Sequence, residues 1–315
     1  GLIGFTDSEA TIRDITLTTA TITGNNIVGG VVGEHRGTLT DVTISGSVTA
    51  TGTDKFERSQ AGGIVGRNVG TVKNAPATGS VNGTAQVGGL VGFNDGTVTD
   101  SSASGSVTGD EGVGGLVGFN DDDGNLTDSS ASGSVTATGG FGSAGGLVGS
   151  NNGNLTDSSA SGSVSAEDNA GGLVGFNGGG IQNATASGSV NGSEDAGGLV
   201  GNNGGNITNA NASGSVNATG ESGSAGGLVG TNRGTLTDAF AVGPVSGNND
   251  VGGLVGFNDS AGTTQQSYFD EQATNQSESA GNATGLTTAQ MQGQAAESNM
   301  SGFEFGVDWQ TQTDP

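Results

Sequence analysis

The stretch Val87–Val107, VGGLVGFNDGTVTDSSASGSV, is written again from Val113 and again from Ala144. A small or Val residue before Gly-Gly marks each copy: Val28, Ala61, Val87, Val113, Ala144, Ala170, Ala196, Ala225 and Val251. The spacings are 33, 26, 26, 31, 26, 26, 29 and 26 residues, so the unit is 26 residues with 7, 5 and 3 extra in three copies. Gly1 opens a tenth, incomplete copy, and we expect residues to have been trimmed upstream of it. A short unit repeated at fixed period cannot bury its own apolar face and does so by stacking on its neighbours.

Paired Gly, β-branched Val and abundant Ser and Thr argue against helix. The run Ser102–Thr108 alternates, with Ala103, Gly105 and Val107 on one side and Ser104, Ser106 and Thr108 on the other. That is the period of a half-buried strand. Thr97-Val98-Thr99 forms a second strand with Val98 pointing in, and Gly89–Gly92 forms a third. Three short strands and three turns per 26 residues define a coil of an all-β parallel β-helix, or β-solenoid, of about ten coils. Coils stack at about 4.8 Å, which makes ten span roughly 48 Å. The default wind is right-handed. Gly lets the opposed walls of a thin solenoid approach and supplies positive φ at corners.

Most inserted residues follow the Ser-Val of a coil, as in Thr49–Gln60, Thr136–Ser143 and Asn217–Ser224. The expectation is one variable turn per coil on an unvarying body. One polar position recurs at Asn68, Asn94, Asn120, Asn151, Asn177, Asn203, Asn232 and Asn258, with His35 and Thr6 taking it in the first two coils. Stacked amides at coil spacing are expected to hydrogen-bond as a ladder.

Hydrophobic residues are 30% of the chain, low for a globular protein. Their fixed recurrence nevertheless separates this chain from a disordered one. The net charge of −24 repels nucleic acid and anionic membrane, so neither is an expected partner. We read the acidity as that of a halophilic protein, whose self-repulsion strong salt screens. No run of about 18 apolar residues exists to insert into a membrane. With no Cys, disulfides and thiol chemistry are excluded.

Sites for chemistry are scarce. His35 is the lone histidine, so an H-E-x-x-H metallopeptidase site cannot form. No catalytic residue and no cofactor are expected. The acids fall in turns without a basic partner: Asp110-Glu111, Asp121–Asp123, Glu167-Asp168 and Glu194-Asp195. The best candidate for Ca²⁺ is Asp121, Asp122 and Asp123 with Asp95 from the coil below. A row of Asp and Asn (Asp14, Asp41, Asn74, Asp100, Asp128, Asp157, Asn183, Asn209, Asp238) is expected at a solvated corner. The Thr-x-Thr pairs are interrupted by Asn125, Asn154 and Asn206, against an ice-binding array. N-x-[ST] sequons recur, among them Asn82, Asn125, Asn154, Asn183, Asn206, Asn217 and Asn282. Phe93, Phe119, Phe176 and Phe257 share an outward position, where Phe93 and Phe119 on adjacent coils are expected to make a small apolar patch.

The GLVG of Gly89–Gly92, Gly115–Gly118, Gly146–Gly149 and four further copies resembles the GLUG motif repeat. The resemblance implies a secreted or surface-attached protein of bacteria or archaea, such as adhesin-like proteins and some IgA-type metallopeptidases. It implies no catalytic residues. Ser267–Asp270, Thr284–Met291, Gly302–Phe305 and Trp309 resemble the segment that closes such arrays. Thr287 with Gln290 forms a capping box, so a short helix is expected to about Glu297. We therefore expect a solenoid over 1–258 and a cap over 259–315. The expected function is a non-enzymatic, extracellular or cell-surface spacer or adhesin stalk, haloarchaeal in character. Its expected partners are neighbouring domains of a longer chain, surface glycans and other cell-surface proteins. The alternative is a carbohydrate-binding or carbohydrate-active β-helix.

Overall fold

The computed structural model describes residues 1–52, 59–140 and 142–305. Lys55 and Arg58 of the longest inserted turn, and Trp309, lie outside the described residues. Every strand pairing is parallel, and the strands form three sheets of 10, 22 and 9 strands. The chain is a parallel β-solenoid of about ten coils with a short helical C-terminal segment.

The coil beginning at Ala85 shows how the repeat makes a turn. Ala85–Gly88 lies in the nine-stranded sheet, Val91–Asn94 in the ten-stranded sheet, and Thr97–Thr99, Ser102–Ala103 and Val107–Gly109 in the long sheet. Three walls are thus present, but this coil carries them on five short segments rather than three strands, and the coils from Ala144 to Ala225 on four. The strand expected at Gly89–Gly92 is displaced to Val91–Asn94, with Gly89 and Leu90 forming the corner. The strand expected at Ser102–Thr108 breaks over Ser104–Ser106. Its alternation survives, since Ala103, Gly105 and Val107 are buried while Ser104 and Ser106 are exposed. In two earlier coils the same stretch stays continuous, as Thr11–Gly24 and Thr38–Ala50.

Register holds across coils of different length. Val87 faces Val113 at a spacing of 26, and Val113 faces Ala144 at a spacing of 31. The extra residues are taken up in turns. The interior divides into two columns. Leu90, Val91, Val98 and Ala103 belong to the larger, and Val87 and Val107 to the smaller. Between them the walls close on glycine. A Cβ on Gly115 would stand 3.0 Å from the Cβ of Ala131 and would overlap the carbonyl oxygen of Gly146 in the next coil. Gly here permits an approach that any side chain would block.

The parallel register runs past the boundary expected at residue 258. Thr263–Gln265 and Tyr268–Asp270 pair with Thr235–Ala241, and Thr284–Leu286 pairs with Tyr268–Asp270. The tail lacks GLVG but keeps the corner: Gln266 adopts positive φ, and Ser267 Oγ donates to the Gln265 carbonyl at 2.7 Å. Phe269 turns inward and plugs the apolar column beneath Gly253. The last GLVG strand is covered by Glu278–Ala280, whose Ala280 amide donates to Val255 at 3.0 Å. The Thr287–Gln290 capping box forms, opening a 3-10 turn over Thr288–Met291 that leads to a helix over Gly293–Asn299. An unforeseen short helix, Glu271–Thr274, is capped by Asp270. Tyr268, Leu286, Ala296, Met300 and Phe303 make a separate apolar cluster, with Phe240 packed against it.

Candidate functional surfaces around the asparagine ladder

The tetrapeptide Val-Gly-x-Asn turns its Asn inward at the corner between the ten-stranded and the long sheet. Asn68, Asn94, Asn120, Asn151, Asn177, Asn203 and Asn232 are each fully buried. Each of these seven donates its Nδ2 to the Oδ1 of the ladder Asn in the following coil, from Asn68 to Asn94 at 2.8 Å through Asn232 to Asn258 at 2.9 Å. The second Nδ2 proton reaches a backbone carbonyl at the same corner, as from Asn94 to Gly96 at 3.0 Å and from Asn151 to Gly153 at 3.1 Å. Both donors of a buried amide are thereby satisfied, the condition for burying it at all.

His35 takes the ladder position one coil before Asn68. Its Nδ1 lies 2.9 Å from Thr6 Oγ1, while its Nε2 and the Oδ1 of Asn68 are both buried without a partner. Burial pushes the imidazole below its usual range, against a weaker opposing pull from the backbone carbonyls of Thr71 and Gly37, which favour the charged ring. His35 is thus a buried end-piece of the ladder, held by Thr6.

The Asp/Asn row forms a second corner. Asp14, Asp41, Asn74, Asp100, Asp128, Asp157, Asn183, Asn209 and Asp238 all adopt left-handed backbone, with φ between 48 and 57°. Asp and Asn tolerate that region better than other residues with a Cβ. Asn183 Nδ2 donates to Asp157 at 3.0 Å and Asn209 Nδ2 to Asn183 at 3.2 Å, so the interposed amides link parts of the row. Sequence reasoning missed the next residue. Ser101, Ser129 and Ser158 are buried, and each hydroxyl donates to the carbonyl two residues before it, at 2.8 to 2.9 Å. Their oxygens also accept backbone amides from the preceding coil, as from Ala75 to Ser101 at 3.2 Å. The signal was a run of Ser and Ala only, at a position that alternation alone marks as a strand.

The calcium candidates lie in stacked turns of adjacent coils, where the Asp121 amide donates to the Asn94 carbonyl at 2.8 Å. Asp95 pairs with Arg67 at 3.6 Å, and Asp121–Asp123 follow the ladder residue Asn120 in a separate turn. Among the described residues no group of three or more His, Asp or Glu side chains stands in metal-holding geometry. The acidic turns Glu167-Asp168 and Glu194-Asp195 lie on consecutive coils, where the Glu194 amide donates to Glu167 at 3.0 Å. Burial first, then the charges of Asp195 and Glu194, push the Asp168 carboxyl up.

The outward Phe column corrects the expected patch. Phe93 and Phe119 do stack, with centroids 5.5 Å apart and planes within 4°. Yet Phe93 is only 2% exposed, because the Arg67 guanidinium covers its other face at 5.3 Å. Phe176 and Phe257 stand alone and exposed. The expected sequon residues Asn82, Asn125, Asn154, Asn183 and Asn206 are exposed, and Asn217 is half-buried, all on the long sheet. No helix among the described residues is long and apolar enough to cross a membrane.

The coil geometry can now be set beside known proteins. The model of the GLUG motif matches residues 83–108, 109–136 and 192–217. These are GLUG repeats. The GLUG coils enter the ladder through Asn94, Asn120 and Asn203, and the intervening coils, outside those matches, continue it in the same register. Over 48 residues, 15% of the chain, the protein is 50% identical to Halomucin of Haloquadratum walsbyi (strain DSM 16790 / HBSQ001). That stretch is a share of halomucin's own length that rounds to 0%. No solved structure matches the chain.

Proposed function

We propose that this chain is a stiff, non-catalytic repeat region of an extracellular or cell-surface protein, serving to extend and present what it is joined to. One observation carries the reading: the asparagine ladder continues unbroken from Asn68 to Asn258, and the parallel register runs through every coil of the described residues. A structure made alike along its length supplies reach and rigidity. Likeness to a protein named as a mucin, the GLUG repeats and the net charge of −24 support a surface setting in strong salt. Adhesion is the finer form of the proposal, with surface glycans or other surface proteins as partners.

The test removes residues 144–195, two whole coils of 26 residues. The shortened chain is expected to keep its β-sheet circular dichroism, and its longest dimension in small-angle scattering is expected to fall by roughly 10 Å. An unchanged dimension would show that the coils do not set the reach. The same purified chain is incubated with a polysaccharide panel. Release of new reducing ends or unsaturated products would overturn the non-catalytic reading.

A further inference from the structure

The long sheet carries two outward columns, one along each border. The first holds the residue that opens each coil's Thr-x-Thr strand: Thr11, Thr38, Thr71, Thr97, Asn125, Asn154, Gly180, Asn206, Thr235 and Thr263. The second holds the residue after the inward Val, from Thr23 and Thr49 through Asn82, Asn191 and Asn217 to Ser246. Asn occupies these columns six times: Asn82, Asn125, Asn154, Asn191, Asn206 and Asn217. In all six the residue two places on is Ser or Thr, whereas this holds for 5 of the 13 column positions that are not Asn. Asn and the downstream hydroxyl therefore travel together.

Within the repeat coils before Asn258 the pairing is confined to the long sheet, and beyond it only Asn258 and the C-terminal Asn275, Asn282 and Asn299 begin N-x-[ST]. Asn152, Asn169, Asn202, Asn248 and Asn249 lie on the other sheets or their turns, and none begins N-x-[ST]. Of the eight buried or half-buried ladder asparagines only Asn258 does. Structural demand for Asn cannot explain the hydroxyl, because the ladder places its Asn without one.

Each of the six also sits within one residue of a strand end. Asn125, Asn154 and Asn206 open their strands, Asn82 closes one, and Asn191 and Asn217 are the middle residues of three-residue strands. At Gly180 the first column lacks a side chain, which leaves a notch lined by Asn154, Asn206, Thr156 and Thr208. One flank of Asn154 and one of Asn206 thereby stay open.

From this pattern we infer that the long sheet is a glycosylated face, with Asn82, Asn125, Asn154, Asn191, Asn206 and Asn217 as acceptors for N-linked oligosaccharide. The amide Nδ2 forms a bond to the anomeric carbon of a lipid-phosphate-linked oligosaccharide. The anomeric C–O bond breaks, the lipid phosphate leaves with the electron pair, and the amide proton passes to a base on the transferase. The acceptor requirement is the exposed N-x-[ST] tripeptide. Glycans on two borders of one face would leave the other two sheets bare.

The inference rests on the extracellular placement proposed above. Intact glycopeptide mass spectrometry of the chain purified from its source, with its cellular location recorded in the same preparation, tests it. Asn-linked saccharide masses are expected on the six sites. Thr208→Val is expected to abolish the mass on Asn206, and Thr208→Ser, which keeps the hydroxyl, to retain it. A surface-located chain with the six sites bare would overturn this inference and leave the spacer reading standing. Saccharide on the hydroxyls of Thr127, Thr156 or Thr208 instead of on Asn would also overturn it. A chain found inside the cell would sink both.

Discussion

Thr6 Oγ1 lies 2.9 Å from Nδ1 of His35, and that contact ends the asparagine ladder on its N-terminal side. With Nδ1 engaged by Thr6, protonating the buried ring puts a charge where burial disfavours it. The native pKa is lowered, so between it and the ordinary value near 6.5 the unfolded chain binds more protons than the folded one. Stability is therefore highest above that range and declines as pH falls below about 6.5. Urea titrations from pH 7.5 to 5 are expected to show this decline, and His35→Asn to remove its histidine component. Asn at this position places an Nδ2 donor beside the unpartnered Oδ1 of Asn68, so the variant is expected to be more stable by about 1 kcal/mol at neutral pH.

Removing one interior rung is a larger perturbation. Asn151→Ala deletes the donor to Asn177 and the acceptor of Asn120, both at 2.8 Å. It leaves one buried amide without its acceptor and another without its donor, each costing about 1–3 kcal/mol. Chemical denaturation is expected to register a loss in that range or above. A loss under 0.5 kcal/mol would mean the ladder is ornamental, on the ordinary scale of surface substitutions at about ±0.5 kcal/mol.

Glycine positions separate by what lies beyond them. Gly115→Ala drives a methyl into the carbonyl of Gly146 and against Ala131, and is expected to destabilise by about 3 kcal/mol. Gly4→Ala meets nothing within 4 Å and is expected to be neutral. Thermal melts of the two variants side by side decide it.

Crowded carboxylates on consecutive coils give a salt-dependent prediction. The pKa of Asp168 is raised, first by burial and then by Asp195 and Glu194. Its folded form holds the proton more tightly than the unfolded chain does, so its contribution to stability falls as pH rises above the ordinary value of 3.8. Asp168→Asn is expected to stabilise the chain at pH 7 in low salt. The gain is expected to shrink in molar KCl, where the repulsion from Asp195 and Glu194 is screened. An equal gain at both salt concentrations would assign the whole effect to desolvation.

The coil was legible because its causes are local and repeated. Leu90, Val98 and Val107 announce their inward direction by alternation, and Asn94 announces the ladder by recurring at the coil period. What escaped depends on atoms one coil away. Ser101 is buried because its oxygen takes an amide from Ala75, 26 residues earlier. Phe93 looked outward in sequence and is covered because Arg67 of the preceding coil and Phe119 of the next stand over its two faces. The tail hid its membership of the solenoid because Gln266 replaces the usual Asp or Asn at the corner and the GLVG marker is gone, although Ser267 keeps the corner serine. The calcium candidate rested on coil arithmetic alone, which brings the turns of Asp95 and Asp121 together but does not direct their side chains, and Asp95 pairs with Arg67.

All seven ladder bonds run the same way, each Nδ2 giving to the Oδ1 of the coil that follows. The column is therefore polar from end to end, like a file of people each with a hand on the next shoulder. A whole coil taken out lets the remaining hands meet, and a whole coil slipped in finds a shoulder waiting. Extra residues short of a coil are taken up in the turns and leave the file unbroken, as between Asn120 and Asn151. Only a complete coil adds a hand and a shoulder together, so the reach of the column changes in whole steps while the turns vary freely.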